Sequence, residues 1–295
     1  MSEVVNEQQP ARTQGGPGTL YLCGTPIGNL EDVSQRVLRI LRSVHTIAAE
    51  DTRHTRKLLS AYDIHTPLVS LHEHNEAART PEVLRILGDG HDVALVSDAG
   101  MPGISDPGVY LVRACVAEGI PVVSVPGPSA FLTALAASGL PTERFTFEGF
   151  LPRRRKERRE RLSQVRDLPH TLIFYEAPHR LRSALDDMRE VLGDRWAVLA
   201  RELTKLHEEY IRGPLSRLIE WCSTHAVRGE FVILVAGASP ERVRAEAGDE
   251  ELHEMLRRLL GDGMSVRDAV RTAAERLGVS KRRAYDVALR IEEEV

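Results

Sequence analysis

The sequence predicts an α/β protein in two parts, a mainly parallel first half and an α+β second half, followed by a small helical unit. Three observations carry this. From Thr19 onward, short apolar runs alternate with amphipathic segments of helical period, the pattern of a parallel sheet covered by helices. In the second half two strand-like runs follow one another directly, near Trp196 and Glu208, which implies antiparallel pairing. Near the end, two short apolar stripes flank Gly278-Val279-Ser280, the pattern of a helix-turn-helix. The 295 residues also exceed one ordinary domain. The boundaries read as a disordered tail over 1–18, domains over 19–140 and 141–238, and a linker with the helical unit over 239–295.

The elements follow in order. Leu20–Cys23 reads as a strand and Glu31–Arg42 as a helix, with Leu30, Val33, Val37, Ile40 and Leu41 on one stripe. Thr46–Ala49 is a strand, Arg53–Ala61 a helix, Asp92–Val96 a buried strand, Gly108–Glu118 a helix, Pro121–Val125 a strand and Pro128–Ser138 a mostly apolar helix. The second half begins near Gly139-Leu140-Pro141. It reads Phe145–Phe150 strand, a basic helix from Arg153, Thr171–Tyr175 strand and Arg180–Leu192 helix. Strands at Trp196–Ala200 and Glu208–Arg212, a helix at Leu215–His225 and a strand at Phe231–Ala236 complete it. Gly237–Gly248 shows no apolar periodicity and reads as a linker. Val266, Val270, Ala273 and Leu277 form one closing stripe, and Ala284, Val287, Ala288 and Ile291 the other.

Composition narrows the function. Apolar residues make up 42% and charged residues 28%, enough to bury a core and to exclude disorder as the main state. No apolar run approaches the roughly 18 residues of a membrane helix. The polar start lacks the apolar stretch of a signal peptide, so the expected location is cytoplasmic. Cys23, Cys115 and Cys222 are too sparse for a disulfide framework or a zinc site. A net charge of −4 excludes a uniformly basic nucleic-acid binder but leaves room for a local basic patch.

The densest signals are three loops at strand ends: Gly24–Leu30 (GTPIGNL), Ser97–Gly108 (SDAGMPGISDPG) and Pro126–Ala130 (PGPSA). Ligands of open α/β sheets bind outside the carboxyl ends of the strands. Glycines let a ligand approach the backbone and prolines hold the loop's shape. One such loop is most often a turn; three from one sheet point to a site. Neither G-x-G-x-x-G nor G-x-x-x-x-G-K-[ST] occurs, which speaks against a dinucleotide or Walker ATP site. Glu50-Asp51-Thr52-Arg53-His54 mixes acid, base and imidazole. It reads equally as substrate-handling groups or as an Asp N-cap with exposed charges. Tyr175-Glu176-Ala177-Pro178-His179-Arg180 repeats that ambiguity, and Arg201-Glu202-Leu203-Thr204-Lys205 follows another strand. His72 and His74 would share a strand face, but without a third ligand no metal site is expected. The run Arg153-Arg154-Arg155-Lys156-Glu157-Arg158-Arg159-Glu160-Arg161 is too dense in charge to pack on every face. Such runs are usually solvated; beside a site loop this one favours a phosphate backbone.

Together these motifs resemble the tetrapyrrole-methylase-like methyltransferases, and more closely the ribosomal RNA small subunit methyltransferase I group. The three loops resemble its S-adenosyl-L-methionine loops. Glu50–Leu59 (EDTRHTRKLL), Phe147–Arg153 (FEGFLPR), Phe174–Arg180 (FYEAPHR) and Ala200–Glu209 (ARELTKLHEE) are similar to that group as well. The resemblance implies two α/β domains of the tetrapyrrole-methylase type with the cofactor folded up between them, and a homodimer. It also implies 2′-O-methylation of a cytidine ribose in the decoding centre of 16S rRNA, with 16S rRNA or the small ribosomal subunit as partner. By position in the motifs, Pro26, Asp98, Ala99, Gly100, Ile104, Ser129 and Ala130 should line the cofactor, with Glu176 and Leu203 approaching from the second domain. One departure stands out: tetrapyrrole-modifying relatives carry a Gly-Asp-Pro loop where this chain has Ser97-Asp98-Ala99-Gly100, which speaks against a tetrapyrrole substrate.

Methyl transfer needs alignment and desolvation from the protein, and a ribose hydroxyl gains from a general base. Candidates are Glu50, Asp51, His54, Glu176, His179 and Lys205, with Arg53 and Arg180 placed to hold a phosphate; a neutral His54 or His179 is the favoured base. Arg153, Arg154, Arg155, Lys156, Arg158 and Arg159 are the expected RNA contacts. Two rival readings stand: a methyltransferase of a tetrapyrrole or other small molecule, and a non-enzymatic RNA-binding regulator acting through the helix-turn-helix.

Overall fold

The structure is a computed structural model that describes residues 16–293, without the side chains of 240–249 and 292–293. The first sheet runs in the order β3-β2-β4-β1-β5, all parallel. Its strands are β1 Leu20–Cys23, β2 Thr46–Ala49, β3 Leu68–Ser70, β4 Val93–Val96 and β5 Val122–Val125. Strands β2 and β4 are buried along their whole length, which is why they read as continuous apolar runs rather than alternating ones. Helices α1 Gln35–Ser43 and α2 Thr52–Ala61 pack on one face, through Val37, Ile40, Leu41 and Leu59, with Ile64 just beyond α2 in the same cluster. Helices α3 Glu76–Gly88 and α4 Val109–Ala117 cover the other, through Val83, Leu87, Leu111 and Cys115.

Strand β3 and helix α3 have no counterpart in the sequence reading. Pro81 lies inside α3, where proline normally ends a helix by removing an N–H donor. Burial of Val83 and Leu87 holds the helix together, and the Thr80 hydroxyl donates to the Glu76 carbonyl at 2.8 Å. His72 falls in the turn after β3 rather than on a strand; its N–H is taken by Asn75 Oδ1 at 2.8 Å, so the shared strand face expected for His72 and His74 does not exist.

Helix α5, Ala130–Ser138, marks where the two halves join. It follows β5 of the first sheet, yet Ala134 and Leu135 pack on the second sheet against Ile173, Val198, Val232 and Leu234. That sheet has the order β6-β7-β10-β8-β9. Its strands are β6 Phe145–Phe150, β7 Thr171–Glu176, β8 Trp196–Arg201, β9 Glu209–Pro214 and β10 Phe231–Val235. Only β6 and β7 pair parallel; the expected antiparallel β8–β9 pair is present. Helices α6 Arg155–Val165, α7 Pro178–Leu192 and α8 Leu215–Thr224 cover the face opposite α5, through Leu162, Leu181, Leu185 and Leu218.

The segment expected to be a linker is instead largely helical: α9 runs from Pro240 to Gly261. Its first half lacks an apolar stripe but is rich in good helix formers behind a proline suited to the first helical position. Leu252 and Leu256 of α9 pack with α10 Val266–Leu277 and α11 Lys281–Glu293. The helix-turn-helix is thus part of a three-helix unit. Most of the expected N-terminal tail lies outside the described residues.

Candidate functional site: an acid-lined cleft between the two sheets

The three loops leave the carboxyl ends of β1, β4 and β5 and lock together. Thr25 and Gly100 exchange backbone hydrogen bonds at 2.8 and 3.0 Å, and the Thr25 hydroxyl donates to the Ser97 carbonyl at 3.0 Å. A Cβ on Gly24 would stand 2.7 Å from the Gly127 Cα, so only glycine lets the first and third loops touch. Glu76 Oε1, from α3, accepts the N–H groups of Gly108 and Leu111, both at 3.0 Å. It thereby caps α4 and anchors the end of the second loop.

Above these loops opens a cleft of about 830 Å³, closed on its far side by residues of the second domain, including Phe150, Tyr175, Leu203 and Phe231. Its walls carry five carboxylates, Glu50, Asp98, Asp106, Glu202 and Glu230, and one lysine, Lys205. That lysine is itself paired with Glu202 at 3.1 Å. Among the described residues four non-glycine residues have positive φ: Asp63, Ser105, Glu202 and Thr204. Ser105 and Glu202 line the cleft and Thr204 sits between two cleft residues, so backbone strain concentrates here, as it does at functional sites.

The carboxylates hold each other in an unusual electrostatic state. Asp98 N–H donates to Glu50 Oε2 at 3.3 Å, and Asp51 N–H returns a bond to Asp98 Oδ1 at 3.1 Å. Burial pushes the Glu50 carboxyl above its ordinary range. Burial, and then the neighbouring Glu50 charge, push Asp106 up to about 7. Tyr175, whose hydroxyl accepts the Phe131 N–H at 3.3 Å, is pushed by burial to about 12. A crowded set of acids with few cations lowers the cost of admitting a positive ligand.

Of the residues expected around a cofactor, Asp98, Ala99, Gly100, Ile104, Ser129, Ala130 and Leu203 line the cleft. Pro26 and Glu176 do not. Pro26 belongs to the first loop, but its neighbour Ile27 forms the wall. Glu176 is fully buried at the end of β7; its Oε1 accepts the Ala177 N–H at 2.9 Å and lies 3.2 Å from Arg180 Nε. Arg180 in turn donates to the carbonyls of Leu151, at 2.6 Å, and Pro152, at 3.2 Å. The pair clamps the loop before α6. Of the expected proton-handling groups, only Glu50 and Lys205 reach the cleft wall. Asp51 is the N-cap of α2, accepting the Arg53 N–H at 2.8 Å, and its pairing with the Arg53 guanidinium holds its carboxyl well below the usual range. Arg53, His54 and His179 are exposed and line no part of the cleft. Sequence reasoning missed Asp106, Glu202, Glu230 and Tyr175 as wall residues. Asp106, Glu202 and Tyr175 lie inside segments already singled out, whereas Glu230 lies outside all of them.

The basic run is corrected more strongly. Arg158 is 5% exposed, and its Nε and Nη2 both bond Asp187 Oδ2, at 2.8 and 2.5 Å. Arg155 pairs with Asp187 and Glu190, and Arg159 with Glu190, across the α6–α7 contact. Arg154 and Lys156 lie against Glu157 and Glu160 on their own helix. Arg158 is therefore a core residue that cannot meet a phosphate, and the rest of the run, Arg153 apart, is balanced by acids.

Residues 19–219 match the family model for Tetrapyrrole (Corrin/Porphyrin) Methylases, and residues 246–292 the model for the RsmI C-terminal HTH domain. Ribosomal RNA small subunit methyltransferase I of Halalkalibacterium halodurans is 46% identical over 284 residues, 95% of this chain and 98% of that one. The protein of the same name from Pseudomonas aeruginosa is 50% identical over 275 residues, 92% and 97% of the two chains. The chain belongs to the ribosomal RNA small subunit methyltransferase I family. It is a methyltransferase, and its methyl donor is S-adenosyl-L-methionine. The fold also matches uroporphyrin-III C-methyl transferase from Thermus thermophilus complexed with S-adenyl homocysteine. There the TM-score is 0.51 at 20% identity, over 74% of this chain and 97% of that one.

The cleft fits this methyl donor. Its volume lies within the range of small-ligand pockets. Its acids suit a sulfonium cation and can accept hydrogen bonds from ribose hydroxyls. Ile27, Leu132 and Leu203 add apolar surface to its wall. Among the described residues no helix is long and apolar enough to cross a membrane.

Proposed function

We propose that this protein methylates the ribose 2′-hydroxyl of a cytidine in the decoding centre of 16S rRNA. The observation that carries the reading is an acid-walled cleft, built by three interlocked loops, in a chain 46–50% identical along nearly its whole length to ribosomal RNA small subunit methyltransferases I. The same likeness, including the C-terminal helical unit, favours rRNA over a tetrapyrrole. When bound, the cofactor supplies an electrophilic methyl group on a sulfonium sulfur.

The chain's own residues do the rest. Leu203, Phe150 and Phe231 give the second-domain side of the cleft an apolar surface. Asp98, held from both sides by Glu50 and the Asp51 N–H, fixes the floor of the site. A hydroxyl reacting in this cleft can pass its proton to a carboxylate oxygen of Asp106 or Glu50, both of which line it. A carboxyl held near 7 is matched to proton transfer at neutral pH. The family resemblance further suggests a cytoplasmic homodimer.

The test incubates the purified protein with labelled S-adenosyl-L-methionine and either free 16S rRNA or the small subunit, then maps the label. The reading expects a single 2′-O-methyl ribose that resists alkaline cleavage. Label on a base, or transfer only to a tetrapyrrole, would refute it.

A further inference from the structure

The surface beside the cleft mouth on the first domain carries an unbalanced set of cations. Helix α1, QRVLRILRS, contains Arg36, Arg39 and Arg42; helix α2, TRHTRKLLSA, contains Arg53, Arg56 and Lys57. Neither helix contains an acidic residue, and all six cations are exposed. Two are engaged: Arg42 donates to the Tyr62 carbonyl at 2.9 Å, and Arg53 pairs with Asp51 at 2.8 Å. Arg36, Arg39, Arg56 and Lys57 have no ion-pair partner among the described residues. The acids next to the two helices in the chain are Glu31, Asp32, Glu50, Asp51 and Asp63. Glu31 and Asp32 form the turn before α1, and Asp63 pairs with His65 at 2.9 Å.

The helices form one surface. Val37, Ile40 and Leu41 pack in the same cluster as Leu59 and Ile64, and the Tyr62 hydroxyl at the end of α2 donates to the Leu30 carbonyl before α1 at 2.6 Å. Both helices also start on the side of the sheet where the cleft opens, although neither lines it. Helix α1 follows the first loop, and α2 follows Glu50 directly, with Asp51 bonded to Asp98 of the wall. At 1.5 Å per residue each helix runs about 15 Å, room for two or three nucleotides. The contrast with α6 is direct, because the arginines there are matched by Asp187 and Glu190.

We propose that the α1–α2 face is the docking surface for the sugar-phosphate backbone of the substrate RNA, with Arg36, Arg39, Arg56 and Lys57 as its phosphate contacts. This rests on the rRNA reading above. Charge complementarity selects the occupant: a strip of unpaired cations without acids, leading into the cleft, suits a polyanion that must present one nucleotide there. Phosphate contacts position and do not specify, so the strip orients the RNA and leaves selection to the cleft.

The test compares the intact protein, a variant with Arg36, Arg39, Arg56 and Lys57 all replaced by Ala, and a variant with Arg153, Arg154 and Lys156 replaced by Ala. Binding to a 16S rRNA fragment is titrated at several salt concentrations. Losing four single-strand phosphate contacts lowers the slope of log affinity against log salt by about 3, equivalent to roughly 50-fold between 50 and 200 mM. The α6 variant should change it far less. Calorimetry should give the α1–α2 variant unchanged affinity for S-adenosyl-L-methionine, which shows that it is folded. An unchanged slope in that variant, or a larger drop in the α6 variant, overturns the proposal while methylation by the intact protein keeps the rRNA reading. If the intact protein neither binds nor methylates any RNA, the rRNA reading fails and the proposal with it.

Discussion

Asp187→Ala should destabilise the second domain severely, because it removes the partner of a buried arginine. Arg158 and Asp187 are 5% and 1% exposed. Asp187 Oδ2 takes both bonds from Arg158, and Oδ1 takes the Arg155 Nε at 3.0 Å. Leaving one member of such a pair charged, buried and alone costs about 3–5 kcal/mol. The Arg155 contact adds little, since Arg155 is mostly exposed. With an m-value of about 2 kcal/mol/M, the urea midpoint should fall by roughly 2 M. The assay is tryptophan fluorescence, because the chain's two tryptophans, Trp196 on β8 and Trp221 on α8, both lie in this domain. A compensated variant, Arg158→Met with Asp187→Leu, removes both charges and should recover most of the loss, since well-packed apolar replacements of buried pairs are often neutral or better. A loss below about 1 kcal/mol in Asp187→Ala is the value of an exposed pair and would return α6 to the role of a solvated basic face. A compensated variant as unstable as the single one would mean that packing, not charge, holds the contact.

Asp106 titrates from neutral to charged as pH rises through about 7, so affinity for the cationic cofactor should increase across that range and then level. Asp106→Asn should flatten this limb in calorimetry, and an unchanged profile would exclude Asp106 as its source. His54→Asn and His179→Asn should each leave single-turnover methylation well short of the roughly 10²-fold loss that follows removal of a general base; a loss of that size in either would place a histidine in the chemistry. Gly28→Ala would put a Cβ 2.9 Å from the Leu203 carbonyl and 2.8 Å from Lys205 Cγ. It should push the two domains apart and weaken cofactor binding, whereas unaltered affinity would show that the cleft closes without this contact.

The sequence by itself determined nine of the ten strands among the described residues, the loops at their carboxyl ends, and with them much of the wall of the cleft. These follow from local rules: continuous apolar runs for buried strands, and glycine and proline where a sheet hands over to a helix. Ser97–Gly108 was legible for that reason, whereas Leu203 was expected only from the family resemblance. The N-cap role of Asp51 was one of two readings, and the geometry decided between them. Tertiary structure alone decided the rest. Asp187 and Glu190 stand about 30 positions beyond the arginines that they neutralise, so the run looked like an RNA contact until α6 met α7. Helix α5 looked like the end of the first domain, but its apolar face is buried on the second sheet. Asp106 was only one residue of the second loop in the sequence; the fold partly buries it and brings the Glu50 charge near, which pushes its carboxyl up to about 7. Periodicity and turn chemistry are properties of neighbouring residues, whereas ion pairing and desolvation depend on which distant segments meet, and only the folded chain settles that.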